Sequence, residues 1–195
     1  MKTPLTFLLA LTFLFLFSSG VFGDDFQDGF DAHQKEDYRT AHRLWLPLAE
    51  QGHASAQFNL GLMYEYGQGV PQDYKEALKW YRLSAEQGIA DAQFNLGVMY
   101  EDGLGVPQDD QEAVRWFRLS AEQGNASAQN MLGLMYSKGQ GVLQDYSLAH
   151  MWWNICFASG IKVCVKNRNI MEEKMSKQQI EEAQRLARNW KPTTK

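Results

Sequence analysis

Two periods run through the apolar residues of this chain. Over short stretches they fall three or four apart: Leu60, Met63 and Tyr64 within 54–66, then Ala77, Trp80, Tyr81 and Ala85 within 73–87. That spacing lines one face of an α-helix. Over longer distances the whole pattern returns after 36 residues. Ala-Glu-Gln-Gly stands at 49–52, 85–88 and 121–124, and Ala56-Gln57-Phe58-Asn59-Leu60-Gly61 recurs unchanged at 92–97. Between 56–91 and 92–127, 26 of 36 positions are identical. A third copy starts at Ala128 and keeps Leu132-Gly133, Met135-Tyr136 and Gly139-Gln140-Gly141-Val142. Repetition at this length is the signature of stacked units that share a continuous core.

Each unit divides into two helices. The first, helix A, runs over about Ala54–Tyr66 and stops at Gly67-Gln68-Gly69-Val70-Pro71, because glycine adopts the left-handed backbone that ends a helix and proline keeps its predecessor out of helical geometry. Asp73 with Glu76, and Asp109 with Glu112, have the spacing of capping boxes that start helix B. Helix B then runs to about Gln87, and Gly88 ends it. The register extends both ways. Residues 24–52 form a degenerate first pair, since Asp37 aligns with Asp73, Ala41 with Ala77 and Gly52 with Gly88. Repeats follow at 53–88, 89–124 and 125–160, and residues 161–195 close the array with helices at 162–174 and 177–190, Ser176 and Gln179 forming another box.

The pattern Ala-x-x-x-Leu-Gly-x-Met-Tyr, Gly-x-Gly-Val-Pro-x-Asp, Ala-x-x-Trp-Tyr/Phe and Ala-Glu-Gln-Gly resembles the Sel1-like repeat, a relative of the tetratricopeptide repeat, over nearly all of residues 26–190. The closing stretch from Lys166 through Gln179-Ile180 to Trp190 is similar to that of bacterial members. Leu143 in place of the loop proline and Leu148 in place of the capping glutamate depart from the pattern. The resemblance implies an all-α fold, a right-handed α-solenoid of about five antiparallel helix pairs, acting as a monomeric, non-enzymatic adaptor that binds another protein or peptide.

If helix A lies as in tetratricopeptide repeats, its concave side carries Ser55, Phe58, Leu62, Glu65 and Tyr66, then Asp91, Phe94, Val98, Glu101 and Asp102, then Ser127, Asn130, Leu134, Ser137 and Lys138. Phe58, Leu62, Phe94 and Val98 would form an apolar strip with an acidic edge at Glu65, Glu101 and Asp102. Such a strip on an exposed face marks a contact site; the alternative is that both phenylalanines pack between repeats. The chain has two cysteines, Cys156 and Cys164, standing where other copies have Ser84 with Ala92 and Ser120 with Ala128. Small residues at both positions suggest close helices, as a disulfide requires, and the eight-residue spacing resembles cysteine pairs of a cysteine-rich branch of the family. Two buried thiols remain the alternative.

Composition and charge narrow the function. Lys2 followed by the apolar run Leu5–Phe17 and then Val21-Phe22-Gly23 reads as a secretory signal peptide cleaved after Gly23, giving an exported, periplasmic or secreted chain without a membrane span. Residues 24–161 carry 9 basic and 19 acidic side chains, and residues 162–195 carry 9 and 4. A body this acidic excludes nucleic acid as the expected partner. His33, His42, His53 and His150 show no metal-ligand spacing, so no metal or cofactor is expected. His53 and His150, read against Ile89, Asn125 or Arg115 of other copies, are expected on the surface. The enzymatic alternative is a cell-wall hydrolase of penicillin-binding or β-lactamase-like type, for which Ser159-Gly160-Ile161-Lys162 supplies Ser-x-x-Lys. Its companion motifs Ser-Asp-Asn and Lys-Thr-Gly are absent from the sequence.

Overall fold

Ten α-helices and no strands make up the described part of the molecule, residues 21–193 of a computed structural model. They are α1 (Val21–Gln34), α2 (Tyr38–Glu50), α3 (Ala54–Tyr66), α4 (Tyr74–Glu86), α5 (Ala90–Asp102), α6 (Asp110–Glu122), α7 (Ala126–Lys138), α8 (Tyr146–Ala158), α9 (Lys162–Glu172) and α10 (Lys177–Asn189). Each helix from α1 to α8 packs on the next, and α10 folds back onto α8. This is an all-α solenoid. The apolar run Leu5–Phe17 lies outside the described residues, while Val21–Gly23 of the expected leader begin α1. Among the described residues, no helix is long and apolar enough to cross a membrane.

The caps follow from local chemistry, with one difference from expectation. Asp37, Asp73, Asp109 and Asp145 each accept a backbone N–H from the first turn of α2, α4, α6 and α8. The reciprocal half of the expected boxes is not made at α4 and α6. There the Asp73 and Asp109 amides donate to the Tyr64 and Tyr100 carbonyls, 2.9 Å in both cases. Their glutamates are left to pair with Lys79 and Arg115, at 3.1 and 3.0 Å. Only at α10 do Ser176 and Gln179 complete the box.

The core is a succession of small-against-large contacts between the two helices of each repeat. Gly61, Gly97 and Gly133 on the A helices face Tyr81, Phe117 and Trp153 on the B helices. A methyl at Gly97 would lie 2.7 Å from the Phe117 ring, so glycine is what lets the two helices approach. Trp80, Trp116 and Trp152, at 5–6% exposure, fill the spaces between repeats as expected of core residues. Tyr136 is buried too, whereas Tyr64 and Tyr100 are half-buried with hydroxyls directed to His42 and Arg82.

The last pair departs most from the repeat. Cys156 on α8 and Cys164 on α9 are joined as a disulfide across a Cα separation of 6.1 Å. In the earlier repeats the position of Cys156 holds Ser84 and Ser120, whose hydroxyls donate to the Ala54 and Ala90 carbonyls at 2.9 and 2.7 Å. His150 is the clear correction. It is fully buried, not on the surface, with Nε2 2.7 Å from Glu172 Oε1 and Nδ1 2.9 Å from Asn154 Nδ2. In the 36-residue register it aligns with the buried Val114, not with Arg115, so it points inward where α9 covers it. His53 is exposed and caps α3, its Nδ1 accepting the Ala56 amide, while its ring stacks on Phe26 at 4.8 Å.

Candidate functional site

The helix-A residues expected to form a contact strip are neither fully exposed nor sealed in the core. Phe58 and Leu62 on α3, Phe94 and Val98 on α5, and Leu134 on α7 are half-buried. The Phe58 ring packs against Tyr81 with centroids 5.9 Å apart, and Phe94 packs against Phe117 at 5.7 Å. One side of each ring therefore supports the helix pair while part of it stays open. Tyr66, at 63% exposure, stands at the C-terminal end of α3 beside the strip.

The acidic edge divides between the two repeats. In the first, Tyr81 donates its hydroxyl to Glu65 Oε2 at 2.5 Å. Burial, and then this bond to a carboxylate, push the Tyr81 phenol well above its ordinary range, so it remains a donor at any physiological pH. In the second repeat Phe117 replaces that tyrosine and supplies no hydroxyl. Glu101 is half-buried without that donor, and its carboxyl is raised above the usual carboxylate range, first by burial and then by neighbouring Asp102. A cationic group brought to this point would favour the charged form and bind more tightly for it. Glu101 and exposed Asp102 thus stand beside the strip without the hydroxyl bond that Glu65 accepts.

The third repeat contributes less. Asn130 is half-buried, and its Oδ1 accepts from Trp153 Nε1 at 3.1 Å and Asn167 Nδ2 at 3.2 Å. Its oxygen is therefore spent inside the protein. Ser137 donates to the Leu134 carbonyl at 2.7 Å, while Lys138 is exposed at the end of α7. Among the flanking polar positions, Asp91 accepts from Asn125 Nδ2 at 2.9 Å, and Ser55 and Ser127 have no side-chain partner among the described residues. The strip is best formed between α3 and α5.

Catalytic machinery does not assemble around Ser159. It is the exposed C-cap of α8, and Lys162 begins α9, with no hydrogen bond between them among the described residues. No cluster of three or more His, Cys, Asp or Glu side chains there is placed to hold a metal ion.

One recurring feature escaped the sequence reading. Gln57, Gln93 and Gln129 are buried on the A helices, and each donates Nε2 to a helix-B carbonyl, of Ala49, Ala85 and Ala121. The signal was present, since a polar residue held at a 36-residue spacing beside invariably buried alanines has a structural partner.

The family model for the Sel1 repeat matches residues 26–53, 54–89, 90–125 and 126–155. Among solved structures, a Sel1 repeat protein from Oxalobacter formigenes is similar at 32% identity and a TM-score of 0.71, over 75% of this chain and 59% of that one. A second is c5321, described as a protective antigen present in uropathogenic Escherichia coli strains displaying an SLR fold. It is similar at 28% identity and a TM-score of 0.61, over 87% of this chain and 45% of that one. The chain thus spans 59% and 45% of the lengths of these two neighbours. A comparison with curated proteins gave no match.

Proposed function

The chain belongs to the Sel1 repeat family, and on that premise we propose that it is an exported, non-enzymatic scaffold that holds a partner segment along the helix-A face. Sel1 repeat proteins are generally scaffolds for protein–protein interaction. The observation that carries the finer reading is the half-buried strip of Phe58, Leu62, Phe94 and Val98 beside Glu101 and Asp102. A complementary segment brings apolar anchors and a basic side chain. An all-α array with a long side-by-side row of A helices presents such a segment with several anchoring points at once.

Substituting Phe58→Ala together with Phe94→Ala separates contact from support. Because each ring is only half-buried, the expected stability loss is about 1–2 kcal/mol per site, below the range for a fully buried phenylalanine. Capture of a partner from the cell-envelope fraction, compared with the native chain at equal folded concentration, should be lost. Charge reversal by Glu101→Lys with Asp102→Lys should weaken the same capture with little change in melting temperature. Undiminished capture by both variants would place the contact elsewhere.

Export rests on the leader pattern of residues 1–23 and agrees with a disulfide, which persists in oxidising compartments. Unreduced mass spectrometry of protein recovered from the envelope fraction should give a chain beginning at Asp24 with no alkylatable thiol. A mass retaining Met1, or two alkylated cysteines in folded protein, would refute export or pairing respectively. Loss of the bridge should cost about 2–3 kcal/mol for so short a loop.

A further inference from the structure

Charge is sorted along the A helices and not along the B helices. With His neutral, α3 and α5 hold acidic side chains and no Lys or Arg, for net charges of −1 and −3. α7 holds Lys138 and no acid, and α9 holds Lys162, Lys166 and Arg168 against Glu172, for net charges of +1 and +2. The B helices show no such trend: α2 and α4 stand at +1, α6 at −1 and α8 at zero. The row of A helices therefore changes sign between α5 and α7, while the helices behind it stay near neutral.

α9 belongs to that row. It packs on α8 as α5 packs on α4, and Asn167 Nδ2 donates to Asn130 Oδ1 on α7 at 3.2 Å. Cys164 stands in the register of Ala56, Ala92 and Ala128. Carried onward, the register that sets Phe58 with Phe94 and Leu62 with Val98 reaches Asn130 and Leu134, then Lys166 and Ile170. It also sets Val163 in line with Ser55, Asp91 and Ser127. All three α9 residues are open. Val163 and Ile170 are each 46% exposed, and Lys166 is exposed with no ion pair among the described residues. Glu172, the carboxylate of α9, is already engaged, 2.7 Å from His150 Nε2 and 3.7 Å from Arg168 Nε. The register thus draws an apolar line over four helices, Leu62, Val98, Leu134 and Ile170, with carboxylates beside its first half and lysines beside its second.

We infer that the segment held by the helix-A strip is extended and bipolar, with a basic side chain over Glu101 and Asp102, an acidic one over Lys166, and apolar side chains between them. Helices about 10 Å wide set α9 about 20 Å from α5. An extended chain rises about 3.3 Å per residue, so the two charges stand about six residues apart. Alternate side chains of such a chain point the same way, which turns both charges and the two apolar residues between them toward the strip. A segment with two cations meets repulsion at Lys166, and one with two anions meets it at Glu101 and Asp102, so the row discriminates against both. The inference rests on the strip being the contact face, and it adds what lies on that face and how far it reaches.

The probe is the nonapeptide Gly-Lys-Ser-Leu-Ser-Leu-Ser-Glu-Gly, acetylated and amidated at its ends and titrated calorimetrically into the full mature chain. It should bind saturably. Its counterparts with two Lys or two Glu should each bind about fivefold more weakly, because an exposed attraction is exchanged for a repulsion. Lys166→Glu should make the two-Lys peptide the tightest of the three, and Glu101→Lys with Asp102→Lys should favour the two-Glu peptide. Lys166 is at the surface, so its reversal should leave the melting temperature unchanged. The inference is overturned if either like-charged peptide binds the native chain as tightly as the bipolar one, if Lys166→Glu leaves the order of affinities unchanged, or if no peptide binds at millimolar concentration. A response to Glu101→Lys with Asp102→Lys but not to Lys166→Glu would mean that the segment ends before α9, which sinks the inference and leaves the strip reading standing. If neither change alters the order, both readings fail. If no peptide binds, partner capture by the Phe58→Ala, Phe94→Ala variant decides the strip reading alone.

Discussion

Replacing Gly105 by alanine should destabilise the protein by about 2–5 kcal/mol, whereas the same change at Gly103 should cost only about 1–2 kcal/mol. Both glycines lie in the loop between α5 and α6 and have nearly the same left-handed backbone, φ 69° at Gly103 and 70° at Gly105. A side chain at either must bear the left-handed penalty of an L-residue. What separates them is the neighbour. At Gly103 an added methyl would meet the Gln108 amide at 3.4 Å, an ordinary contact. At Gly105 it would lie 2.6 Å from the carbonyl carbon of Tyr74 and 2.9 Å from the Lys75 nitrogen. These are backbone atoms at the start of α4, one repeat earlier, and they have no rotamer with which to yield. The Gly105 change therefore separates two repeats, while the Gly103 change strains only its own loop. Urea denaturation of the two single variants measures the difference directly. Equal losses would mean that the loop, and not the joint between repeats, sets the requirement for glycine.

That joint also shows which parts of the molecule the sequence discloses. The two glycines of Gly-x-Gly were legible as helix stops, because a left-handed C-cap is a local property. That the second also touches the preceding repeat is a long-range fact with no separate letter to announce it. Helix positions follow closely from the 36-residue register, since caps, apolar spacing and terminal glycines agree at every copy. The proposed contact strip was legible only in part. Periodicity marks Phe58 and Phe94 as facing one way, but how much of each ring Tyr81 or Phe117 covers depends on the crossing of two helices. His150 differs from expectation by one position of alignment, which on a helix turns a side chain by about 100° and separates buried Val114 from exposed Arg115 in the preceding repeat. Ser159 is visible only as a difference, a serine where Gln87 and Gln123 stand, and that difference gains meaning once the glutamines are seen to be bonded to Gln57 and Gln93.

The same reasoning makes Trp153 the most sensitive side chain of the last full repeat. In the 36-residue register it follows Tyr81 and Phe117, and each of the three rings lies over a helix-A glycine, Gly61, Gly97 or Gly133. The residue beside that glycine changes in step: Phe58 with Tyr81, Phe94 with Phe117, but the smaller Asn130 with the larger Trp153. Asn130 compensates in volume and also accepts the indole N–H at 3.1 Å. Trp153 is 2% exposed, so Trp153→Ala should cost about 3–5 kcal/mol, as transfer and cavity terms add. Trp153→Phe, which installs the ring of the preceding repeat, should cost less, about 1–2 kcal/mol, because Asn130 Oδ1 still accepts from Asn167 at 3.2 Å and remains satisfied. Asn130→Phe alone overfills the site and should destabilise through strain, and it also strands the indole donor. Combined, Asn130→Phe and Trp153→Phe rebuild the phenylalanine pair of the second repeat, so their joint cost should fall below the sum of the single costs by about 1 kcal/mol. Thermal and urea unfolding of the four proteins form a complete cycle. Additive losses would show that the two positions do not exchange volume, and that the matching of ring and neighbour across the three repeats is coincidental.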